Sequence, residues 1–347
     1  MNNNKKTAIK YYSCEKVLSY NKPYTFAMSN RGTGKTTDFT RFIVKRFLEK
    51  GLQFIYLKRC YEDIISTAPE FFNSDYLKMK FPGHEFEFKK KKFYIDGQIA
   101  GYPMVLNTPT RNKGIPLEHI GTILFDEFLT EDNRYITTAN NPYQEVHNLC
   151  SLIETINRGV GRLYREELKV IMLANSVSLI NPYFACWDID KAFVPGKRFM
   201  TGQDWVLEFF IDEDIARAKA ESPFGRMAQK AGYGDYAFGN QFYLDNNAFI
   251  EDIKPHYWHH CNLIYAGETY GIYEDKKKGI FYISEKYDPR CLITYALSDE
   301  DHNENTYALS RKQDLYKNLV ENFEYGNVRF SSMRCKTVLL TFLNRCK

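Results

Sequence analysis

The segment that most constrains the fold of this chain is the stretch from Ser29 to Thr37, SNRGTGKTT. It follows the apolar run Tyr24 to Met28 and precedes the amphipathic run Asp38 to Lys50. Its Gly-Lys-Thr ending is typical of a phosphate-binding loop, and such a loop requires a strand before it and a helix after it. The sequence therefore predicts a nucleoside triphosphatase built on a β-loop-α unit.

The residue types in this loop suit a triphosphate. Gly32 and Gly34 can adopt the backbone angles that turn several N–H groups toward phosphate. Lys35 is expected to reach the β- and γ-phosphates, and the Thr36 hydroxyl is expected to ligate Mg²⁺ at the positive end of the next helix. Ser29 replaces the usual first glycine, so the pattern is degenerate and a chance Gly-Lys-Thr stays open as an alternative.

A second motif, from Gly121 to Glu127, is an apolar run that ends in two carboxylates. Such a run predicts a buried parallel strand that carries its acids to the ligand edge of the sheet. In a P-loop enzyme the first acid, here Asp126, holds Mg²⁺, and the second, here Glu127, polarises the attacking water. The two motifs together favour an ATPase over a chance match.

The composition indicates a folded chain of more than one domain. Its 347 residues are enough for two domains and a large core. The eight cysteines include no C-x-x-C pair, which disfavours zinc and a disulfide framework. A polar start and the lack of a long apolar run predict a soluble intracellular protein without a membrane partner. The net charge of +4 neither demands nor excludes nucleic acid, so any basic surface must be local.

Two basic segments each allow two interpretations. Lys58-Arg59 follows the predicted strand Gln53 to Leu57 and either contacts phosphate or DNA or forms a solvated pair. Four lysines, Lys89 to Lys92, precede a predicted hairpin turn at Asp96-Gly97 and either solubilise an edge or contact nucleic acid. The loop from Asn107 to Glu118 is polar and basic.

Two further segments are expected near the acidic pair. The helix containing Val146 to Ile156 carries Arg158 in its last turn, where an arginine either suits the helix dipole or acts as a finger on a neighbour's γ-phosphate, with Arg162 and Arg165 as competitors. The strand Lys169 to Leu173 leads to Asn175, which is placed to sense the γ-phosphate or orient the water.

The rest of the chain predicts a linker and a second domain. The strand Trp205 to Ile211 closes the first domain, and two short helices follow. A three-stranded meander begins at Asn262 and is followed by the helical segments Gln313 to Phe323 and Lys336 to Arg345. The predicted domains are residues 1–211 for the ATPase, 212–247 for the linker and 248–347 for the last domain.

The order of these motifs resembles the DNA-encapsidation ATPases of small podophages, relatives of the terminase large subunit, over nearly the whole chain. The matching segments are Ser29 to Thr36, Gln53 to Tyr56, Phe93 to Gly97, Thr122 to Phe128, Ala174 to Ser178, Asn181 to Phe184, Phe224 to Arg226, Asp245-Asn246 and Tyr325 to Phe330. An Arg-Gly inside the loop combined with Phe-Asp-Glu-Phe is specific to this group. Ser29, and Tyr61 where some relatives carry lysine, depart from the pattern.

The resemblance implies an α/β chain with an ASCE/RecA-like ATPase domain on a mainly parallel sheet, and an RNase H-like domain that has lost nuclease chemistry. It implies ATP and Mg²⁺ as cofactors. The implied partners are double-stranded viral DNA, the portal of the prohead, a packaging RNA and further copies of the chain in a ring. The implied location is the host cytoplasm and, transiently, the portal vertex.

The resemblance also implies residue roles. The ATP-binding residues are Ser29, Asn30, Arg31, Gly32, Thr33, Gly34, Lys35, Thr36 and Thr37. Thr36 and Asp126 hold the metal, and the catalytic residues are Lys35, Glu127 and, in trans, Arg158. Asn175 takes the coupling position. The DNA contacts are Lys113, in a pore loop, and Arg111 beside it.

The residues themselves support the loss of nuclease activity, because the strand Asn262 to Ala266 contains no acid and Glu268 falls at its end. Three alternatives stay open: a helicase or remodelling ATPase, a terminase-like nuclease, and a structural or RNA-binding vertex protein with a dead nucleotide site. Intact Lys35, Asp126 and Glu127 argue against the third.

Overall fold

A computed structural model describes residues 11–107, 117–130, 135–138, 143–158, 168–175, 181–194, 197–230, 249–297, 299, 301–310, 312–332 and 334–339. These residues form two compact units: the first takes the described residues up to 136 and from 143 to 230, and the second takes 137–138 and those from 249 to 339. None of the described helices is long and apolar enough to cross a bilayer. The division into three domains stays a prediction.

The first unit is built on a mainly parallel sheet. Its strands are β1 Tyr24–Ser29, β2 Gln53–Lys58, β3 Phe86–Lys89, β4 Lys92–Ile95, β5 Gln98–Val105, β6 Ile120–Asp126, β7 Lys169–Asn175, β8 Phe199–Thr201 and β9 Trp205–Phe210. The order is β3-β4-β5-β2-β6-β7-β1-β9-β8, and only the pairs β3–β4, β4–β5 and β8–β9 are antiparallel. This confirms the predicted α/β sheet.

Helices and segments cover both faces of this sheet. They are α1 Glu15–Leu18, α2 Lys35–Lys50, α3 Tyr61–Thr67, α4 Asp75–Lys80, α5 Gln144–Arg158, α6 Pro182–Cys186, α7 Glu213–Ala220 and α8 Pro223–Lys230. Neighbouring strand residues point to opposite faces: Phe26 packs in the cluster that contains α5 residues, and Ala27 in the cluster that contains α2 residues. Because both faces are buried, the central strands are continuous apolar runs.

The lysine-rich segment before β5 contains one of two tight turns. Lys90 and Lys91 both have positive φ and connect β3 to β4, while Asp96 and Gly97 connect β4 to β5 in the same way. Two consecutive left-handed residues match the twist of a two-residue hairpin. The predicted turn at Asp96-Gly97 is confirmed, and nucleic-acid contact by these lysines stays a prediction.

The second unit contains a smaller sheet. Its strands are β10 Trp258–Tyr265, β11 Glu268–Asp275, β12 Ile280–Ser284, β13 Thr294–Ala296, β14 Tyr307–Ala308 and β15 Val328–Phe330, with helix α9 Asp314–Glu324 and a helical segment at 334–339. The order is β14-β13-β10-β11-β12-β15. The predicted meander β10–β12 is confirmed. The other three strands were not predicted, because two or three residues are too short to display alternation.

Candidate nucleotide site

The phosphate loop connects β1 to α2 and needs glycine at two positions. Gly32 has φ +75° and Gly34 has φ +92°, a left-handed backbone that favours glycine. Ser29 has no positive φ because it is still the last residue of β1, so a side chain is tolerated there. Its Oγ accepts a hydrogen bond from Lys35 Nζ at 2.5 Å and lies 2.9 Å from Thr33 Oγ1. The serine therefore holds the loop lysine in place.

Burial makes Lys35 responsive to an anion. The side chain is buried, and this burial lowers the pKa of Lys35 to about 8, although Asp126 opposes the shift. Lys219 lowers the pKa further by repulsion. An anionic ligand would relieve the cost of the buried ammonium.

Strand order brings the two sequence motifs together. Strand β7 pairs with β1 on one side and with β6 on the other, so Asn175 lies beside Ser29 and its strand end borders the acids. A cavity of about 260 Å³ opens at this edge. It is lined by Gly32, Thr33, Gly34, Lys35, Thr36, Thr37, Asp126, Glu127, Leu173, Ala174 and Asn175.

Asp126 connects the loop to the neighbouring strand. The Thr36 hydroxyl, 90 residues away in the chain, donates to Asp126 Oδ1 at 3.2 Å. The other carboxylate oxygen, Oδ2, accepts from Tyr56 Oη at 3.2 Å and from Lys58 Nζ at 3.1 Å. A hydroxyl and a carboxylate at this spacing are the oxygen ligands that Mg²⁺ prefers. The donor set therefore fits the metal that the sequence predicts.

Lys58 is the charge partner of both acids. Its side chain is only 3% exposed, and Nζ lies 3.1 Å from Asp126 Oδ2 and 3.1 Å from Glu127 Oε2. Burial disfavours the ammonium, but attraction to Asp126, Tyr56 and Glu127 outweighs it and raises the pKa of Lys58 above its usual range. The alternative that Lys58 belongs to a solvated basic pair is wrong, because the ends of β2 and β6 are neighbours.

The backbone of Glu127 is strained. This residue has φ +62°, a left-handed conformation that costs a residue other than glycine about 1–3 kcal/mol. Its side chain is 63% exposed and reaches the cavity edge. Phe128 N donates to Leu173 O at 3.1 Å directly after the turn, which fixes the chain where it leaves β6.

Arg59 secures this turn from behind. Its guanidinium donates to the buried Glu145 carboxylate at 2.9 Å and to Phe128 O at 2.6 Å. Tyr183 Oη donates to the same carboxylate at 2.8 Å, and Ile136 N does so too at 2.8 Å. Arg59 is 11% exposed, so the solvated alternative is wrong for it as well.

The structure describes some of the other predicted site residues and not others. Arg31 lines an adjoining cavity of about 210 Å³ together with Lys58, Asp126, Glu127 and Asn175. Arg158 is the last residue of α5, and the structure describes only its backbone. Lys113, Arg111, Arg162 and Arg165 lie outside the described residues.

Sequence reasoning assigned no role to Glu145 or Tyr183 and left Lys58 and Arg59 undecided. For Lys58 and Arg59 the available signal was their position as a polar pair at the end of an apolar strand, on the ligand edge of the sheet. That signal locates the pair along the chain, but it does not identify the neighbouring strand.

Comparison with known proteins identifies the family. A sequence profile of the podovirus DNA encapsidation protein (Gp16) matches residues 6–347. The chain belongs to this family. The DNA packaging protein of Bacillus phage phi29 is 31% identical over 332 residues, covering 94% of this chain and 95% of that protein. The DNA packaging protein of Bacillus phage B103 is 30% identical over 326 residues, covering 93% and 97%.

Solved structures agree with this family assignment. A chain of the bacteriophage Phi-29 viral genome packaging motor assembly matches with a TM-score of 0.75 at 29% identity, over 97% of this chain and 99% of that one. The Phi-28 gp11 DNA packaging motor matches with a TM-score of 0.69 at 18% identity, over 97% and 98%, which shows the same fold. The predicted resemblance to the podophage encapsidation family is confirmed.

Proposed function

We propose that this member of the encapsidation family is an ATP-driven motor that moves double-stranded viral DNA into an empty prohead. The observation that carries the proposal is the 3.2 Å contact between Thr36 of the phosphate loop and Asp126 of the acidic strand. A phosphate cradle and a metal-binding acid meet in one cavity, in a chain related throughout its length to DNA packaging proteins.

Each residue of the site would have a separate role in ATP hydrolysis. Thr36 and Asp126 would hold Mg²⁺, which neutralises charge on the phosphates when it is bound. The loop N–H groups and Lys35 would bind the β- and γ-phosphates. Glu127 would orient and deprotonate the attacking water, and Lys58, 3.1 Å from Glu127 Oε2, would hold the Glu127 carboxylate at the edge of the cavity. Strand β7 lies between β1, which precedes the phosphate loop, and β6, which carries the acids. This strand order supports an ASCE-type ATPase.

Coupling to DNA is assigned to residues around this site. Asn175, at the end of β7, would sense the γ-phosphate, and Arg158 would reach the site of a neighbouring copy in a ring. Lys113 and Arg111 would contact the DNA backbone. Because such contacts are independent of sequence, they suit a motor that moves any DNA and they predict sensitivity to salt. We place the ring at the portal vertex in the host cytoplasm, with a packaging RNA as a further partner.

We propose that the second unit is an RNase H-like domain without nuclease chemistry. The order β12-β11-β10-β13-β14, with an antiparallel meander followed by two parallel strands, supports this. RNase H-type cleavage needs carboxylates that hold two metals. Strand β10 carries Asn262 instead, and its amide is used internally by His259 and by Asp288 O.

The test is an ATPase assay with and without double-stranded DNA and proheads. We expect stimulation by both, and loss of activity in Lys35→Ala. Unwinding of a forked duplex without proheads would favour a helicase, and metal-dependent nicking that survives Asp126→Ala would favour a nuclease. Wild-type protein that neither binds nor hydrolyses ATP would overturn the proposal and leave a structural vertex protein.

The finger assignment has its own test. Arg158→Ala should lower turnover by about 10³–10⁵-fold because a finger stabilises charge in the transition state. Mixing this variant with Lys35→Ala subunits should restore part of the activity, since each supplies what the other lacks. Mixed rings that never recover activity would contradict a role in trans.

A further inference from the structure

Helix α7 is joined to the phosphate loop at its beginning. The Asn30 side-chain amide pairs with both backbone groups of Asp212: Nδ2 donates to the Asp212 carbonyl at 3.3 Å, and Asp212 N donates to Asn30 Oδ1 at 3.2 Å. Asp212 in turn caps α7, because its Oδ1 accepts from Ile215 N at 2.9 Å. One loop residue therefore positions the first turn of the helix.

The other end of α7 also contacts the loop. Lys219 Nζ donates a hydrogen bond to the carbonyl oxygen of Arg31. A Cβ atom added to Gly32 would lie 2.8 Å from this ammonium, so the lysine packs directly on the backbone there. Lys219 is half-buried by this contact, whereas Arg217 on the same helix is 66% exposed.

This contact has a direct consequence for phosphate binding. In a trans peptide the carbonyl of one residue and the N–H of the next point in opposite directions. The Arg31 carbonyl is turned to Lys219, so the N–H of Gly32 is turned away from it, and Gly32 lines the nucleotide cavity. An ammonium on the carbonyl also polarises the peptide and strengthens that N–H as a donor.

We propose that Lys219 is a positioning residue for the nucleotide, which holds the Arg31–Gly32 peptide with its N–H toward the phosphates. This proposal depends on the proposed ATP-binding function. The lysine acts on the loop and touches no phosphate itself, so it orders the cradle before ligand arrives and reduces the entropy lost on binding. It should therefore affect every nucleotide with a β-phosphate to the same extent.

Equilibrium titration with ADP and with a non-hydrolysable ATP analogue, both with Mg²⁺, tests this. Lys219→Met should lower the affinity for both ligands by about tenfold, the size expected for losing a hydrogen bond from a charged donor. Lys219→Arg should recover most of the affinity. Arg217→Met removes the same charge from the same helix and should change affinity by less than about twofold. The hydrolysis rate at saturating ATP should fall less than the affinity.

Unchanged affinity in Lys219→Met would overturn the proposal, and so would a loss confined to the ATP analogue, which would indicate direct contact with the γ-phosphate. Amide hydrogen exchange on nucleotide-free protein gives a second measurement that needs no ligand. Amides of Gly32 to Gly34 should exchange faster in Lys219→Met than in wild type or Arg217→Met, and equal exchange would contradict the role. If wild-type protein binds neither nucleotide, the proposed ATP-binding function is refuted. The exchange experiment would still test whether Lys219 orders the loop.

Discussion

The ends of β2 and β6 in the first sheet differ from the central strand β10 of the second sheet in the polar groups that they carry. In the first unit, the ends of β2 and β6 bring Lys58, Asp126 and Glu127 within hydrogen-bond distance beside an open cavity. In the second unit, β10 carries the neutral Asn262, whose hydrogen bonds are completed by the unit itself. Buried charge is costly without a partner. The paired charges at the ends of β2 and β6 therefore border a cavity, whereas the polar residue of β10 is satisfied within its own unit.

Left-handed backbone also has a different setting in one turn of each unit. In the second unit, Ala266 and Gly267 have positive φ in the hairpin that joins β10 to β11, where a tight turn requires it. In the first unit, Glu127 has positive φ directly after a parallel strand, where no hairpin follows. Strain of this kind persists when the surroundings impose it, and here Lys58 and Arg59 do so.

Among the substitutions that compare the two units, the largest effect is expected from a carboxylate of the first. Glu127→Gln should lower the rate of ATP hydrolysis by about 10²–10⁴-fold, because the water loses its base, while nucleotide binding persists. Glu268→Gln changes an acid of the second unit, at the start of β11, and should leave hydrolysis unchanged. Steady-state ATPase rates and nucleotide titrations measure both. Normal turnover by Glu127→Gln would remove the functional contrast between the sheets.

The next prediction compares buried and exposed lysines. Lys58→Met leaves the Asp126 carboxylate buried without its ammonium and should lower the free energy of unfolding by about 3–5 kcal/mol. Because a bound cation can replace the lost charge, Mg²⁺ should stabilise this variant more than wild type. Lys276→Met, at an exposed position over Trp258, should cost less than about 1 kcal/mol. Urea unfolding with and without Mg²⁺ measures these differences, and equal losses in the two variants would contradict the assignment of Lys58.

The smallest expected effect uses a matched pair of tyrosines. Tyr183 donates to the buried Glu145 carboxylate at 2.8 Å, and Tyr282 donates to the Glu251 carbonyl at 2.7 Å. Tyr183→Phe should cost about 1.5–3 kcal/mol because the acceptor is charged, and Tyr282→Phe about 0.5–1.5 kcal/mol. Chemical denaturation of both variants measures the gap. A larger loss for Tyr282→Phe would indicate that Arg59 and Ile136 N satisfy Glu145 without the tyrosine.

Much of the first unit could be predicted from sequence because its signals are local. Gly32 and Gly34 mark a backbone that favours glycine, and the apolar run before Asp126 marks a strand buried on both faces. The second unit was predicted less completely. Strands β13 to β15 have two or three residues each, and pairing with distant strands forms them.

The phosphate loop, the acidic strand end and the α/β class could be predicted because each depends on neighbouring residues along the chain. Which strands are neighbours became known from the folded structure. Placing β2 beside β6 puts Lys58 on the acidic pair, and docking α7 on the loop puts Lys219 on Arg31. Such contacts join residues far apart in the chain, and the packing of whole elements selects them, so no local pattern records them.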